Sequence, residues 1–512
     1  MPDDPHDIVH RGAPLRLFNS LTRQLEEFRP VHFGEARVYS CGPTVYNFQH
    51  IGNMRAYIFA DILGRTLSWK GYDLTHVINI TDVGHLTSDA DAGDDKMEKA
   101  AQKTGKSAWD IAAFYQADFE TDLARLNVRR PAHPRATEYV PAMIEFAKSI
   151  EAHCYELPGG LYFDTSTVAK YGALARAVSD ANDLGAEGRI DPVAGKRHAA
   201  DFAIWRKTPL GETRQMEWPS PWGRGAPGWH LECSVMSGQL LGFPFDIHTG
   251  GIDHREIHHP NEIAQNQAFC GSDKSGANIW MHNNFLVERS GKMSKSAGEF
   301  LRLQLLIDRG YHPLAYRLMC LQAHYRSELE FSWEGLQAAF VRLKRIWIAV
   351  AYLKVCRGDL IAASIKVDGT RDMGVEWTLK RIQREGDNRL RDLISRFQAA
   401  LFDDLNSAVA LTILDETISL KKIDAVQQLE VIDSFDDTLG LNLRWASRSD
   451  LRIRPKAAII TEAEIEAALA ARKEARAAKD FAKSDAIRDD LIAKGVEVMD
   501  GDPLGWDWKL DV

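Results

Sequence analysis

The 512-residue chain has no run of about 18 apolar residues, so nothing in it predicts a membrane-spanning helix. The amino-terminal MPDDPHDIVHRG is acidic and proline-containing, unlike the basic-then-apolar pattern of a secretory signal, and a cytoplasmic protein is the expectation. Cysteine is sparse. Cys41, Cys154, Cys233, Cys270, Cys320 and Cys356 lie far apart, which excludes a close-spaced disulfide framework and leaves reduced thiols or metal ligands. Nor is there a surplus of positive charge, since 63 basic against 72 acidic side chains give −9. Any polyanion must therefore be met by local patches rather than by the overall field.

What is present is an ordinary globular mixture, 45% hydrophobic and 26% charged, which excludes disorder over most of the chain. At about 100–200 residues per domain, the length predicts about three or four domains. Arg37 to Cys41 reads as a short strand ending at Gly42-Pro43. Asn53 to Lys70 has helical periodicity, with Gly71 as the stop, and Leu74 to Ile80 is apolar enough for a buried parallel strand. Strand, helix, strand is a βαβ unit, the seed of a doubly wound sheet.

Residues 131–226 change character, with Pro131, Pro134, Pro141, Gly159-Gly160 and a Trp/Pro/Gly cluster at 218–229, and look like an inserted module. Phe243 to Gly251 reads as a strand opening into a glycine turn, and a helix follows with Pro260 in its first turn. Beyond Trp333 the pattern is almost wholly helical and predicts a bundle; 442–455 is an Arg-rich, irregular linker. Thr461 with Glu464 forms a capping signature for a charged helical run reaching Lys494.

Three constellations carry chemistry. His50-Ile51-Gly52-Asn53 stands between a predicted strand and a predicted helix, where backbone N–H groups and the helix dipole attract phosphate; His50 and Asn53 add side-chain donors, and Gly52 admits a close ligand. By itself the string also fits a plain turn histidine at a helix start. In Glu288-Arg289-Ser290-Gly291-Lys292-Met293-Ser294-Lys295-Ser296, two lysines among small residues make a cationic loop able to engage a polyphosphate in a transition state. A solvated surface loop is the alternative. Cys41, Cys233, His258 and Glu262 offer two thiolates, an imidazole and a carboxylate, a zinc-type donor set, although a buried cysteine is also simply a small hydrophobe.

Together these strings resemble the class I aminoacyl-tRNA synthetases, and more narrowly the cysteinyl-tRNA synthetase family. YSCGPTVYNFQHIGN is similar to that family's first signature and GKMSKS to its second. GWHLECSVMS and HHPNEIAQ resemble its zinc-bearing segments, and HYRSELEFSW and LFDDLNSAVAL later family segments. The resemblance implies an α/β Rossmann-type catalytic domain (1–130 and 227–285) split by a connective insertion (131–226). A stem-contact region with the KMSKS loop (286–332), an all-α helical bundle (333–450) and a small anticodon-binding domain (451–512) would follow. It implies cysteine activation by ATP, with Mg2+, to cysteinyl adenylate and pyrophosphate, then transfer to the terminal adenosine of cysteine tRNA by a monomer.

Carried over by position, Cys41, Cys233, His258 and Glu262 would ligate one zinc ion, which takes the substrate thiolate and thereby selects against serine. His50, Gly52 and Asn53 would receive ATP, with Lys292, Ser294 and Lys295 at its phosphates. Thr81 and Trp229 would line the amino-acid pocket and Asp253 would pair with the ammonium. Arg476, Asp485 and Asp500 match anticodon-reading positions, and Arg472, Arg476, Lys479 and Lys483 fall on one predicted helical stripe. Three departures stand out. Asn53 replaces a second histidine, Pro260 replaces a common acidic residue between His258 and Glu262, and GDPLGWDWKLDV has an inserted residue and an extra tryptophan. Two other readings remain at this point: a ligase passing cysteine to a small amine, as in the mycothiol pathway, and a non-catalytic zinc-containing RNA-binding protein.

Overall fold

The computed structural model describes residues 13–84, 101, 105–175, 194–273, 276–288, 291–292, 301–357, 382, 386–445 and 447–510. Strands β1 (Arg16–Asn19) and β2 (Gln24–Glu27) pair as a hairpin ahead of β3 (Glu35–Ser40), helix α1 (Ile51–Lys70) and β4 (Asp73–Ile78). Gly71 ends α1 in the left-handed region at φ 107°, its N–H reaching the Leu67 and Ser68 carbonyls. Next come α2 (Ala108–Arg125), α3 (Val140–Ser149), and strands β5 (Cys154–Leu157), β6 (Gly160–Phe163), β7 (Phe202–Lys207) and β8 (Gly225–Pro227). These four strands form an antiparallel sheet in the order β5-β6-β7-β8. Helix α4 (Trp229–Leu241), β9 (Phe245–Gly251), α5 (His258–Cys270) and β10 (Ala277–Asn283) return the chain to the first sheet.

That first sheet is parallel, with order β10-β9-β3-β4. The carboxyl ends of its strands deliver Cys41, Thr81 and Gly251 to one edge, where open α/β sheets place their ligands. One expectation is corrected here. β4 is the outermost strand of the four, so only Val77 and Ile78 are buried and its first four residues are exposed or half-exposed.

Short strands β11 (Leu286–Glu288), β12 (Gly291–Lys292) and β13 (Leu329–Glu330) form a small sheet, interleaved in sequence with α6 (Leu303–Asp308) and α7 (Pro313–Leu321). Helices α8 (Trp333–Arg357), α9 (Asn388–Phe402), α10 (Ser407–Ser419) and α11 (Ala425–Leu439) follow. They share one hydrophobic core with the sheet's first helix: Ile58 and Leu63 of α1 belong with Leu318, Leu336, Phe397 and Phe435. At its centre the fully buried Arg317 donates to Asp61 Oδ2 (2.6 Å) and to the Leu126 (3.0 Å) and Leu439 (2.8 Å) carbonyls, while Arg65 Nε binds the same Asp61 oxygen at 2.7 Å. Three cations and a backbone N–H thus answer one buried carboxylate, as burial demands.

At the carboxyl end, α12 (Glu462–Ala477), α13 (Phe481–Ala493) and the hairpin β14 (Val496–Val498) and β15 (Trp506–Trp508) enclose a separate small core around Ile465, Leu491 and Trp506. Thr461 caps α12 reciprocally with Glu464. The continuous run to Lys494 is corrected to two helices. Lys479 takes a left-handed φ of 61°, and Asp480 starts α13 by accepting from the Lys483 N–H, so the helical ladder is interrupted between them. The stripe of Arg472, Arg476, Lys479 and Lys483 therefore does not exist as one helix face, and Arg472 is buried.

Candidate active site and metal centre

Cys41 leaves β3, Cys233 sits in the first half of α4, and His258 and Glu262 occupy the first turns of α5; all four are buried. Their donor atoms lie within 4.8 Å of one another. Pro260 is accommodated inside the opening turn of α5, and the i, i+4 spacing brings His258 Nε2 to 3.1 Å from Glu262 Oε1. A hydrogen bond from Cys41 draws the Cys233 thiol down to about 6 against the effect of burial, and His258 adds to it. Burial first, then the bond to Cys233, pushes Cys41 well up. Burial would raise Glu262, but His248 and His258 hold it down to about 2. Such a set, with soft and borderline donors converging and water excluded, fits a zinc ion.

Sequence reasoning missed the ring of histidines around these residues. His259 Nε2 lies 3.2 Å from Cys41 Sγ and its Nδ1 2.8 Å from His282 Nε2, while His282 Nδ1 faces Ser20 Oγ at 2.8 Å. His248 Nε2 meets Glu262 Oε2 at 2.8 Å, and His230 Nδ1 meets His258 Nδ1 at 2.9 Å. The donor atoms of Cys41, His248, His259 and Glu262 likewise lie within 4.8 Å of one another, a second such group. A lone histidine in a strand, as in β9 and β10, carries no ligand signal until the sheet is assembled; only the adjacent His258-His259 pair was visible beforehand.

His50 is the N-cap of α1. Its Nδ1 accepts from the Asn53 N–H (3.1 Å), and Asn53 Oδ1 accepts from the His50 N–H (3.3 Å), a capping box in which histidine and asparagine play both parts. Accepting at Nδ1 puts the proton of the neutral ring on Nε2. Gly52 has a role beyond ligand approach, since a Cβ there would lie 2.9 Å from His50 Nδ1. The Ile51 N–H is taken by the Leu301 carbonyl (2.9 Å), which ties the helix start to the segment after the cationic loop. Of that loop, Lys292 is described in its backbone alone, and Ser294 and Lys295 lie outside the described residues.

The three pocket residues border the cysteine cluster. Thr81, buried after β4, receives Asn79 Nδ2 at 3.2 Å and hydrogen-bonds Glu232. The Trp229 ring lies 4.3 Å from that of His258, centre to centre. Asp253 is close enough for its charge to bear on Cys41. Far from them, Asp500 accepts both nitrogens of the buried Arg472 (2.5 and 2.8 Å) and one from Arg476 (3.3 Å), while exposed Asp485 pairs with Arg488 (3.4 Å). Phe481, 62% exposed at the start of α13, is an aromatic that periodicity gave no reason to single out.

A family model described as the class I (C) tRNA synthetase catalytic domain matches residues 27–341, and one described as the cysteinyl-tRNA ligase anticodon-binding domain matches 461–503. A cysteine–tRNA ligase of Novosphingobium aromaticivorans is 67% identical over 98% of both chains. One of Zymomonas mobilis is 53% identical over 97% of this chain and 98% of its own. Among solved structures, methionyl-tRNA synthetase of Mycobacterium tuberculosis with methionyl-adenylate aligns over 81% of this chain and 93% of its own, at TM-score 0.52 and 13% identity, a likeness of fold. With a matching catalytic model across more than half its length and relatives this similar end to end, the chain belongs to the cysteine–tRNA ligase family of class I tRNA synthetases.

Proposed function

We propose that this protein is a cysteine–tRNA ligase. The cysteine carboxylate attacks the α-phosphorus of ATP, pyrophosphate leaves, and a hydroxyl of the terminal adenosine of tRNA then takes the cysteinyl group from the adenylate with loss of AMP. The reading is carried by the buried Cys41, Cys233, His258 and Glu262 cluster at the carboxyl edge of a parallel sheet, beside the N-terminus of α1. These four residues would hold zinc, which when bound favours a thiolate substrate over an alcohol and so supplies discrimination against serine that pocket size alone does not.

The chain's own side chains do the rest. His50, with Nδ1 engaged in the cap, presents Nε2–H as a fixed donor to phosphate, and Gly52 and Asn53 complete that cradle. The Asn53 oxygen is used by the His50 N–H, so its amide contributes N–H donors that do not titrate. Lys292, Ser294 and Lys295 would neutralise charge building on the departing pyrophosphate, with Mg2+. Thr81, Trp229 and Asp253 would orient the amino acid. Arg476, Asp485 and Asp500 would face the anticodon of cysteine tRNA, with exposed Phe481 beside them as a stacking surface. We assign 1–130 and 227–285 to the catalytic domain, 131–226 to its insertion, 286–332 to stem contact, 333–450 to the bundle and 451–512 to the anticodon domain, in a cytoplasmic monomer.

The test is transfer of labelled cysteine with ATP and Mg2+, offered to total tRNA in one tube and a small amine in another, with excess serine as competitor. Label on tRNA that serine does not reduce is the expected result. Label on the small amine alone overturns the reading.

A further inference from the structure

The turn that feeds α1 is gripped by a residue that belongs to neither signature. Phe48, half-buried and two residues before the His50 cap, lies under the guanidinium of Arg302, whose carbon is 3.2 Å from the ring centre. Around the same ring, Tyr115 (4.9 Å) and Phe114 (6.0 Å) of α2 stand edge-on. Arg302 Nη2 also donates to Asp118 Oδ1 at 3.3 Å, so one face of α2 supplies the aromatic edges and, a turn later, the counter-charge. Nothing in the helix that Arg302 begins accounts for its side chain. It is the N-cap residue of α6 but makes no side-chain cap bond, and its buried Nε meets no acceptor among the described residues.

The adjacent residue completes the grip. The Leu301 carbonyl accepts the Ile51 N–H at 2.9 Å, and the buried Tyr316 hydroxyl of α7 donates to the Ile51 carbonyl at 2.6 Å. Residues 301 and 302 thus hold positions 51 and 48, on either side of His50, one through its backbone and the other through its side chain. With both side chains 26% exposed, the Arg302–Asp118 ion pair contributes little by itself. The stacked cation is different, because a flat guanidinium over a flat ring fixes where the ring sits. The cap sets the His50 ring relative to α1, whereas only contacts from other elements set the turn itself, and a donor aimed at phosphate loses its effect when it is displaced. We propose that Arg302 and Phe48 are positioning residues for ATP, their stacked pair holding the turn into α1 so that His50 presents Nε2–H to phosphate. The inference rests on the ligase reading for its reaction.

The experiment uses the full chain with Arg302→Gln, Phe48→Leu and the two together. It reads cysteine-dependent pyrophosphate exchange at varied ATP and at varied cysteine, ATP affinity by equilibrium titration, and the thermal midpoint. Each single substitution should lower kcat/KM for ATP by about tenfold, with KM for cysteine and the thermal midpoint unchanged. The double variant should fall no further than either single one, since the two residues act as a unit. Phe48→Tyr, which keeps a ring under the cation, should restore most of the loss, and Arg302→Lys, a cation without the flat face, should fall between. Unaltered ATP parameters in both single variants overturn the proposal, as do losses that multiply in the double variant or a Phe48→Tyr loss as large as that of Phe48→Leu. A loss shared equally by ATP, cysteine and thermal midpoint overturns it too, since the pair would then be a prop of the fold. Should the wild type exchange no pyrophosphate, the ligase reading falls and ATP affinity alone decides: weaker binding by the variants upholds the positioning role, and equal binding overturns it.

Discussion

The two candidate sites of this molecule are built on opposite plans. Around Cys41 and Glu262, thiols, imidazoles and a carboxylate are buried together and hold one another's protons. Around Asp500, the acceptor is half exposed and takes one buried partner, Arg472, and one exposed partner, Arg476, both from α12. Burial would make the first site strongly charge-selective for a small ligand, because an unpaired charge there has no water to fall back on. Exposure leaves the Arg476–Asp500 contact exchangeable, so that a macromolecule could take over Arg476 at small energetic penalty. Between them stands the Asp61–Arg317 network, which is buried like the first site but links elements like the second.

The largest expected effect tests the sealed site. Cys233→Ser should lower both metal content and cysteine-dependent pyrophosphate exchange by more than about a hundredfold, beyond the loss typical of residues that only support a ligand. Circular dichroism should stay native. Retained exchange in that variant would remove Cys233 from the site. Next is the link. Asp61→Asn leaves Arg317 buried without its counterion and should lower unfolding free energy by about 3–5 kcal/mol at pH 7. Burial raises the Asp61 carboxyl, but Arg65, Arg317 and Arg129 outweigh it and hold it well below the usual range. Its contribution is therefore full above the unfolded value of about 3.9 and fades as pH falls below it. Denaturant midpoints of wild type and variant should accordingly converge in acid, and a constant gap would argue against the ionised pair.

A smaller effect tests the open site. Asp500→Ala frees Arg472 and Arg476 and should reduce tRNA kcat/KM by about tenfold while leaving pyrophosphate exchange intact. Equal loss in both assays would mean that Asp500 acts through the fold. The smallest is Thr461→Ala, which removes one half of the α12 capping box and should lower stability by about 1 kcal/mol, seen as a reduced thermal midpoint without change in exchange.

Much of this was legible beforehand, for local reasons. The βαβ unit, the Gly71 stop, the Thr461–Glu464 cap and the helix opening around Pro260 depend on periodicity and on residues within a turn of one another. The break at Lys479 was not legible, because no glycine or proline marks it and its left-handed backbone is stabilised by the Asp480 cap that follows. The place of β4 at the sheet edge was hidden for another reason: strand order is set by which strands pair, and an apolar strand reads alike at the centre or the rim.

The sequence by itself determined the donor types, the capped helix start at His50 and the family, since these reside in short ordered strings. Only the tertiary structure decided that Cys41 and Cys233, 192 positions apart, come within 4.8 Å of each other, that His248, His259 and His282 crowd against them, and that Arg472 is spent on Asp500. The first two depend on parallel strands separated by long connections being paired edge to edge, and the third on the α12–α13 turn bringing the last hairpin back to α12; spacing along the chain carries no record of which ends will meet.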